Sequence, residues 1–131
     1  MEIIVIEKPW GKEELLEKND RYMFKRLTMY KGHACSLQYH EIKVETVYLL
    51  SGILKVYLGD NEHELSQIIM NPNDVITLNP FKIHRMEAIE DCIYLEASTP
   101  ELEDVIRLQD RYKRVYSQST TRRYSARYIK L

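Results

Sequence analysis

The first 98 residues of this chain are a succession of short apolar runs, each closed by a turn-forming residue. The run "ETVYLLS" ends before Gly52, "ILKVYL" before Gly59, and "DVITL" before Asn79 and Pro80. β-Branched and aromatic residues fill these runs, and runs of this length and spacing predict strands. The segments between them are too short for the helices of alternating β/α units, so the pattern predicts an antiparallel sandwich or barrel. The predicted strands are "EIIVIE", "YMFKRLTMY", "ACSLQYH", "ETVYLLS", "ILKVYL", "DVITL", "HRMEAI" and "CIYLEAS".

The pattern changes after residue 98, where the sequence reads "STPELEDVIRLQDRYKRVY". Thr99 can cap a helix, Pro100 suits the first helical position, and acidic residues crowd the first turn. An apolar face is supplied by Leu102, Val105, Ile106 and Leu108. These signals predict an α-helix over residues 99–116 that packs on a β-barrel of residues 1–98. For the basic tail, residues 117–131, two interpretations stay open: a mobile segment or a strand added to a partner subunit.

Length and charge limit the class of protein. A chain of 131 residues is most economically a single domain. Nineteen Lys and Arg balance 20 Asp and Glu, so charge favours neither nucleic acid nor a membrane surface. The amino terminus, "MEIIVIEKPWG", resembles neither a signal peptide nor a membrane span, so we expect a cytoplasmic protein. Cys35 and Cys92 are too few for a disulfide framework and are expected to be reduced packing residues.

Four polar residues form a candidate metal site. Gln38 and His40 lie two apart in a predicted strand, so their side chains share one face. Glu45 begins the next predicted strand, and a hairpin would bring its carboxylate beside them. A further ligand should come from a distant strand, and His84, which begins a strand directly after a turn, is the best candidate.

The spacing from Gly32 through Gln38, His40 and Glu45 to Gly52 resembles the first motif of the cupin family, G-x5-H-x-H-x3,4-E-x6-G, with Gln38 in place of the first histidine. The string "SLQYH" resembles the phosphomannose isomerase group of cupins, which includes the C-terminal domain of mannose-1-phosphate guanylyltransferases. The second cupin motif is weaker, with Asp74 and His84 in register. The resemblance covers residues 7–114 and implies a single cupin domain, a double-stranded β-helix or jelly-roll barrel. It also implies that Gln38, His40, Glu45 and His84 hold one divalent metal ion.

Three further residues are candidates for chemistry. Glu96 places a carboxylate in the apolar strand "CIYLEAS", where it costs free energy unless it is paired or used, so we predict it as the proton-transfer base. Lys25 is a candidate contact for a sugar phosphate. Arg85 points away from His84 in a regular strand, but near a rim it could bind phosphate bidentately, so it is a candidate for both catalysis and substrate binding.

The predicted function is a metal-dependent aldose–ketose isomerase of sugar phosphates, like mannose-6-phosphate isomerase, in nucleotide-sugar or polysaccharide precursor metabolism. The ligand set suits Zn, Mn or Fe. A non-catalytic sugar-binding or regulatory cupin and a sugar-nucleotide epimerase stay open, as does an iron oxygenase. We also expect a homodimer, because the strands carry a second apolar face that needs cover. That face is formed by Leu37, Tyr39, Tyr48 and Leu50.

Overall fold

The computed structural model describes residues 2–114 and the backbone of residues 123–127, and these residues form two antiparallel sheets. The strands are β1 (Glu2–Lys8), β2 (Gly11–Lys18), β3 (Met23–Met29), β4 (Leu37–Tyr39), β5 (Glu45–Ser51), β6 (Leu54–Asn61), β7 (Glu64–Met70), β8 (Val75–Leu78), β9 (Ile83–Ala88), β10 (Cys92–Ser98), β11 (Ile106–Gln109) and β12 (Arg123–Arg127). Seven strands form one sheet in the order β12-β1-β2-β3-β10-β5-β8, and five form the other in the order β11-β4-β9-β6-β7. No helix in the described ranges is long and apolar enough to cross a membrane.

The core lies between the two sheets because the strands alternate buried and exposed positions. In β3 the side chains of Met23, Leu27 and Met29 are buried while Phe24 is exposed. One buried cluster joins residues of both sheets, among them Leu27 and Val47 from the larger sheet and Val56 and Met86 from the smaller. This arrangement confirms the predicted all-β jelly-roll architecture.

The eight predicted strands are present, as β1, β3, β4, β5, β6, β8, β9 and β10. Sequence reasoning missed β2, whose sequence "GKEELLEK" carries charges at positions that the fold buries. Glu13 and Glu14 of β2 form ion pairs with Lys25 and Arg26 of β3, which allows these charges in a strand. It also missed β7, "ELSQIIM", whose side chains are mostly exposed and show no alternation.

The predicted helix over residues 99–116 is wrong in its described part, residues 99–114, which contains turns and the strand β11. The helix signals are local, whereas β4 needs a hydrogen-bonding partner on its free side, and β11 provides it. Asp104 does not support a first helical turn; its carboxylate accepts hydrogen bonds from the backbone N–H groups of Glu41, Ile42 and Lys43. Residues 115 and 116 lie outside the described residues.

Part of the predicted basic tail forms β12, which pairs with β1 of the same chain, with Val5 opposite Tyr124. The pairing extends the seven-stranded sheet at its β1 edge. Residues 117–122 and 128–131 lie outside the described residues.

Two motif glycines adopt positive φ but differ in their surroundings. Gly52 has a φ of 91°, and a Cβ there would overlap the backbone carbonyl of Asp91. Gly32 has a φ of 83°, and a Cβ there would have no neighbouring heavy atom within 4 Å. A glycine is therefore needed at position 52 for both its backbone conformation and the lack of space, and at position 32 for backbone conformation alone.

We expect Gly52→Ala to lower the free energy of unfolding by about 3 kcal/mol or more, because backbone strain and overlap both act. Gly32→Ala, the matched control, should cost about 1 kcal/mol from backbone strain alone. Urea denaturation followed by circular dichroism measures both values. Equal losses for the two variants would contradict this account of Gly52.

Candidate metal centre

The side chains of His40, Glu45 and His84 meet in the buried space between the two sheets. Nε2 of His40 lies 3.1 Å from Oε1 of Glu45, and Nε2 of His84 lies 3.2 Å from the same oxygen. Their potential ligand atoms all lie within 4.8 Å of one another, and all three side chains are buried. Glu45 comes from β5 of the larger sheet and His84 from β9 of the smaller, so the cluster forms only when the sheets pack together.

The hydrogen bonds behind the two histidines favour a metal. Nδ1 of His40 lies 2.6 Å from the carbonyl oxygen of Asp104, and Nδ1 of His84 lies 2.9 Å from that of Lys82. A carbonyl oxygen only accepts, so each Nδ1 carries the proton and donates it. In neutral histidines, each Nε2 then presents a lone pair toward an acceptor oxygen of Glu45. Three acceptors that converge in this way fit a divalent cation, and two imidazoles with a carboxylate suit Zn, Mn or Fe.

Gln38 occupies the strand position next to this cluster. It lies opposite His84 in the pairing of β4 with β9, and its side chain lines the same cavity. Its Oε1 accepts a hydrogen bond of 2.5 Å from Oγ of Ser36, which leaves a second lone pair on that oxygen. Gln38 therefore stays the predicted fourth ligand, held in place by Ser36.

A row of buried charges of alternating sign leads away from Glu45, and we call it the charge ladder. It consists of Glu45, Lys43, Glu96, Lys25 and Glu13. The successive N–O distances are 3.3 Å, 3.1 Å, 3.8 Å and 3.2 Å. Glu96 and Lys25 lie directly opposite each other in the pairing of β10 with β3. The structure thus brings two predicted residues, Glu96 and Lys25, into one network with the metal centre.

The network sets the protonation states of its carboxylates. Burial alone raises the pKa of Glu45, but the neighbouring charge of Lys43 holds that pKa well below its usual range. Burial and the charge of Glu45 raise the pKa of Glu96. Burial opposes ionisation of Glu13, yet Lys25 and Lys8 lower its pKa to about 2. Two neighbouring carboxylates, Glu45 and Glu96, therefore differ in proton affinity.

The structure does not bring Arg85 into this cavity. Strand alternation in β9 turns Arg85 away from His84, and its Nε donates to the carbonyl oxygen of Cys35 at 3.1 Å. Its second contact is with the carbonyl oxygen of Gln109, also at 3.1 Å. Arg85 thus joins β9 to the segment before β4 and to β11, so its predicted catalytic and substrate-binding roles have no geometric support.

The cavity beside the metal centre measures about 110 Å³ and also contains residues that sequence reasoning missed. Arg107 of β11 lies opposite Gln38 of β4, and its side chain is buried in the cavity wall with those of Arg114 and Lys8. The signal that could have identified Arg107 is strand alternation in "IRLQ", but the neighbouring helix-like pattern concealed it. Asp104 was also missed, although it fixes both the ring of His40 and the loop that follows.

Comparison with known proteins places this architecture in the cupin fold. A cupin superfamily protein from Desulfitobacterium hafniense superposes with a TM-score of 0.60 at 16% identity, over 71% of this chain and 80% of that one. Sequence comparison identifies one family within this fold. Residues 3–110 match the family model described as "Mannose-6-phosphate isomerase C-terminal", and the chain belongs to that family.

Curated relatives of this chain are longer proteins. Mannose-1-phosphate guanylyltransferase of Escherichia coli strain K12 is 34% identical over 113 residues, which is 82% of this chain and 23% of that protein. Xanthan biosynthesis protein XanB of Xanthomonas campestris is 30% identical over 114 residues, again 82% of this chain and 23% of the relative. The chain thus spans less than a quarter of the length of these relatives.

We expect His84→Ala to remove the metal ion, because it deletes the ligand that only the fold brings to the cluster. Losing a residue that merely orients a ligand costs about 10- to 100-fold in metal affinity, so losing His84 should cost more than about a hundredfold. Elemental analysis and titration calorimetry with Zn²⁺ measure the loss. His63→Ala is the control, because the His63 side chain is 78% exposed and lies in the turn between β6 and β7. Full metal content in His84→Ala would contradict the site.

Proposed function

We propose that this chain is a metal-dependent sugar-phosphate isomerase that interconverts an aldose phosphate and a ketose phosphate in nucleotide-sugar or polysaccharide precursor metabolism. The observation that carries the proposal is the cluster of His40, Glu45 and His84 joined through Lys43 to a second buried carboxylate, Glu96. Aldose–ketose isomerisation needs an electrophile at the substrate oxygens and a base that moves a proton between adjacent carbons. The residues that would hold such an electrophile and the carboxylate proposed as the base line one cavity.

His40, Glu45, His84 and Gln38 would hold the metal ion. When bound, a divalent ion there supplies Lewis-acid stabilisation of the charge that develops on the carbonyl and neighbouring hydroxyl oxygens. The backbone carbonyls of Asp104 and Lys82 orient the two imidazoles for this task. The ligands come from both sheets, so the closed barrel fixes their geometry before substrate arrives.

Glu96 is the proposed base. It lines the cavity and contacts Lys43 at 3.1 Å and Lys25 at 3.8 Å, so its carboxylate is held between two ammonium groups. In the forward direction it takes the proton from the carbon next to the aldehyde and returns it to the former aldehyde carbon. The hydroxyl proton of the second carbon passes to the former aldehyde oxygen, so the product is an isomer and no net proton is consumed. Lys25 orients Glu96 and faces the cavity, where it can also contact the substrate.

Charge in the cavity favours an anionic substrate. Its lining includes five cationic side chains and four carboxylates, a net charge of one positive that becomes three positive with a divalent ion. The cations are Lys8, Lys25, Lys43, Arg107 and Arg114, and the carboxylates are Glu13, Glu45, Glu96 and Glu103. Arg107 of β11 lies directly opposite Gln38 of β4 and is buried. Its planar guanidinium suits the phosphate group.

A second candidate function, a non-catalytic sugar-binding or regulatory cupin, is favoured by one observation. The chain matches less than a quarter of each longer guanylyltransferase-type relative, so it corresponds to one segment of a larger enzyme. Such a segment can bind a sugar phosphate without converting it. An epimerase with a His–Asp base is less supported, because His40 meets the backbone carbonyl of Asp104 while the carboxylate of Asp104 holds the loop N–H groups.

We expect metal-loaded protein to convert mannose 6-phosphate into fructose 6-phosphate, and a chelator to abolish the conversion. Coupled assay of fructose 6-phosphate and a screen of other phosphorylated aldoses measure this. Glu96→Gln should lower kcat by about 10²- to 10⁴-fold while keeping the metal, because it removes the base and not a ligand. Arg107→Met should mainly raise KM.

Three results would redirect the assignment. Thermal stabilisation by sugar phosphates without product, in protein whose metal site is filled, would replace the isomerase with the sugar-binding function. Turnover of a sugar nucleotide by metal-free protein would indicate an epimerase, and consumption of dioxygen would indicate an oxygenase.

We also propose that the chain forms a homodimer through the outer face of the seven-stranded sheet. The apolar face predicted from sequence is divided, since Leu37 is buried in the smaller sheet whereas Leu50 is exposed on the larger. Beside Leu50, the larger sheet also exposes the apolar side chains of Phe24, Val75 and Ile93.

Sedimentation at micromolar concentration should show a dimer, because an exposed apolar sheet face gains free energy when a second copy covers it. Val75→Asp should shift the protein to monomer. Ile69→Asp is the matched control, because Ile69 is 50% exposed but lies on β7 of the other sheet. A monomeric wild-type protein would reject the dimer.

A further inference from the structure

Lys43 is the residue through which the metal centre joins the charge ladder. It lies in the loop between β4 and β5, and its side chain is only 4% exposed. Its Nζ lies 3.3 Å from Oε2 of Glu45 and 3.1 Å from Oε2 of Glu96. The ammonium therefore contacts the oxygen of Glu45 that does not face the histidines.

The two oxygens of Glu45 thus have different partners. Oε1 faces Nε2 of both His40 and His84, at 3.1 Å and 3.2 Å, while Oε2 faces Lys43. A carboxylate coordinates a metal through both oxygens only if both can turn toward the ion. An ammonium that holds Oε2 opposes that rotation, because the turn would deprive the buried ammonium of one of its two carboxylate partners.

We propose that Lys43 is a positioning residue that restricts Glu45 to coordination through one oxygen. The inference rests on the metal centre of the proposed function and adds a reason why a metal held there would have a low coordination number. One carboxylate oxygen, two imidazoles and one amide would hold the ion and would leave room for the substrate oxygens. The same restriction disfavours Ca²⁺, which takes six to eight oxygen ligands, often with bidentate carboxylates.

The position of Lys43 does not depend on the metal. Its backbone N–H donates to Oδ2 of Asp104 at 2.9 Å, and the backbone carbonyl of Asp104 accepts from Nδ1 of His40. One residue therefore fixes both the loop that carries Lys43 and the ring of a metal ligand. Glu96 holds the ammonium from its other side, so Lys43 is anchored at its backbone and at its charge.

A general structural role for Lys43 makes a different prediction from a positioning role. Lys25 is equally buried and contacts Glu13 and Glu96. If Lys43 only neutralised buried carboxylates, removing Lys25 should disturb the metal centre as much as removing Lys43. Neither of those two carboxylates belongs to the proposed ligand set. The lysines therefore form a matched pair, of which one contacts a ligand.

The test compares Lys43→Met with Lys25→Met and Lys43→Arg in full-length protein loaded with Co²⁺, whose visible absorption weakens as its coordination number rises. We expect Lys43→Met to weaken the absorption and to raise the affinity for Ca²⁺ relative to Zn²⁺ about tenfold or more, within the usual effect of residues that orient metal ligands. Lys25→Met should keep the wild-type spectrum. Lys43→Arg should also keep the wild-type spectrum, because a guanidinium can still hold Oε2 of Glu45.

An unchanged spectrum and metal preference in folded Lys43→Met would overturn the inference, as would an equal change in Lys25→Met. Circular dichroism establishes folding. If Lys43→Met does not fold, Lys43→Gln replaces it, and the same shift in smaller measure is expected because an amide donates without a charge. The readout needs no sugar, so it is separate from the isomerase assay. Failure of the wild type to bind Co²⁺ or Zn²⁺ would remove the metal centre and the proposed function together.

Discussion

Five buried charges of alternating sign, from Glu13 on β2 to Glu45 on β5, constrain how this barrel can assemble. Removing each ion from water costs several kcal/mol, so every member of the charge ladder is tolerated only while its neighbours are in place. The pairing of Lys25 with Glu96 requires β3 and β10 to align in one register. A slip of one residue in either strand would turn the charge of that strand to the outer face and take one member out of the charge ladder. The polar interior therefore specifies the same strand alignment as the apolar core.

The metal centre depends on that alignment because no single element carries it. Gln38 and His84 are neighbours on the smaller sheet, whereas Glu45 belongs to the larger sheet, and its Oε2 is held by the charge ladder. A bound metal would thus stabilise the packed state of the two sheets over any state in which they separate. Asp104 adds the third constraint, since it holds the loop that connects the ligands of one sheet to those of the other.

Sequence reasoning succeeded where the determining signal is local. Gln38, His40 and Glu45 follow from strand alternation and motif spacing. His84 was chosen because it begins a strand after a turn, and the cupin resemblance then linked it to Glu45, from which 39 positions separate it. It failed over residues 99–114, where capping and charge signals for a helix were outweighed by the need of β4 for a partner strand. That error also concealed Arg107, which is visible as a cavity residue only in a strand. The direction of Arg85 followed from alternation, but its partners, two backbone carbonyls, could not be found without coordinates.

The charge ladder bears on the choice between catalysis and sugar binding alone. A buried ionic network is frequently no more stable than apolar residues of the same volume, so its presence calls for a role beyond stability. Recognition of a sugar phosphate needs a cation for the phosphate and neutral donors for the hydroxyl groups, and Arg107 and Gln38 at the cavity wall would be enough to supply them. A second buried carboxylate such as Glu96, one lysine away from the ligand Glu45, adds nothing to that recognition and repels an anionic substrate. Moving a proton between two carbons does require such a group, and this difference favours the isomerase proposal over a binding domain.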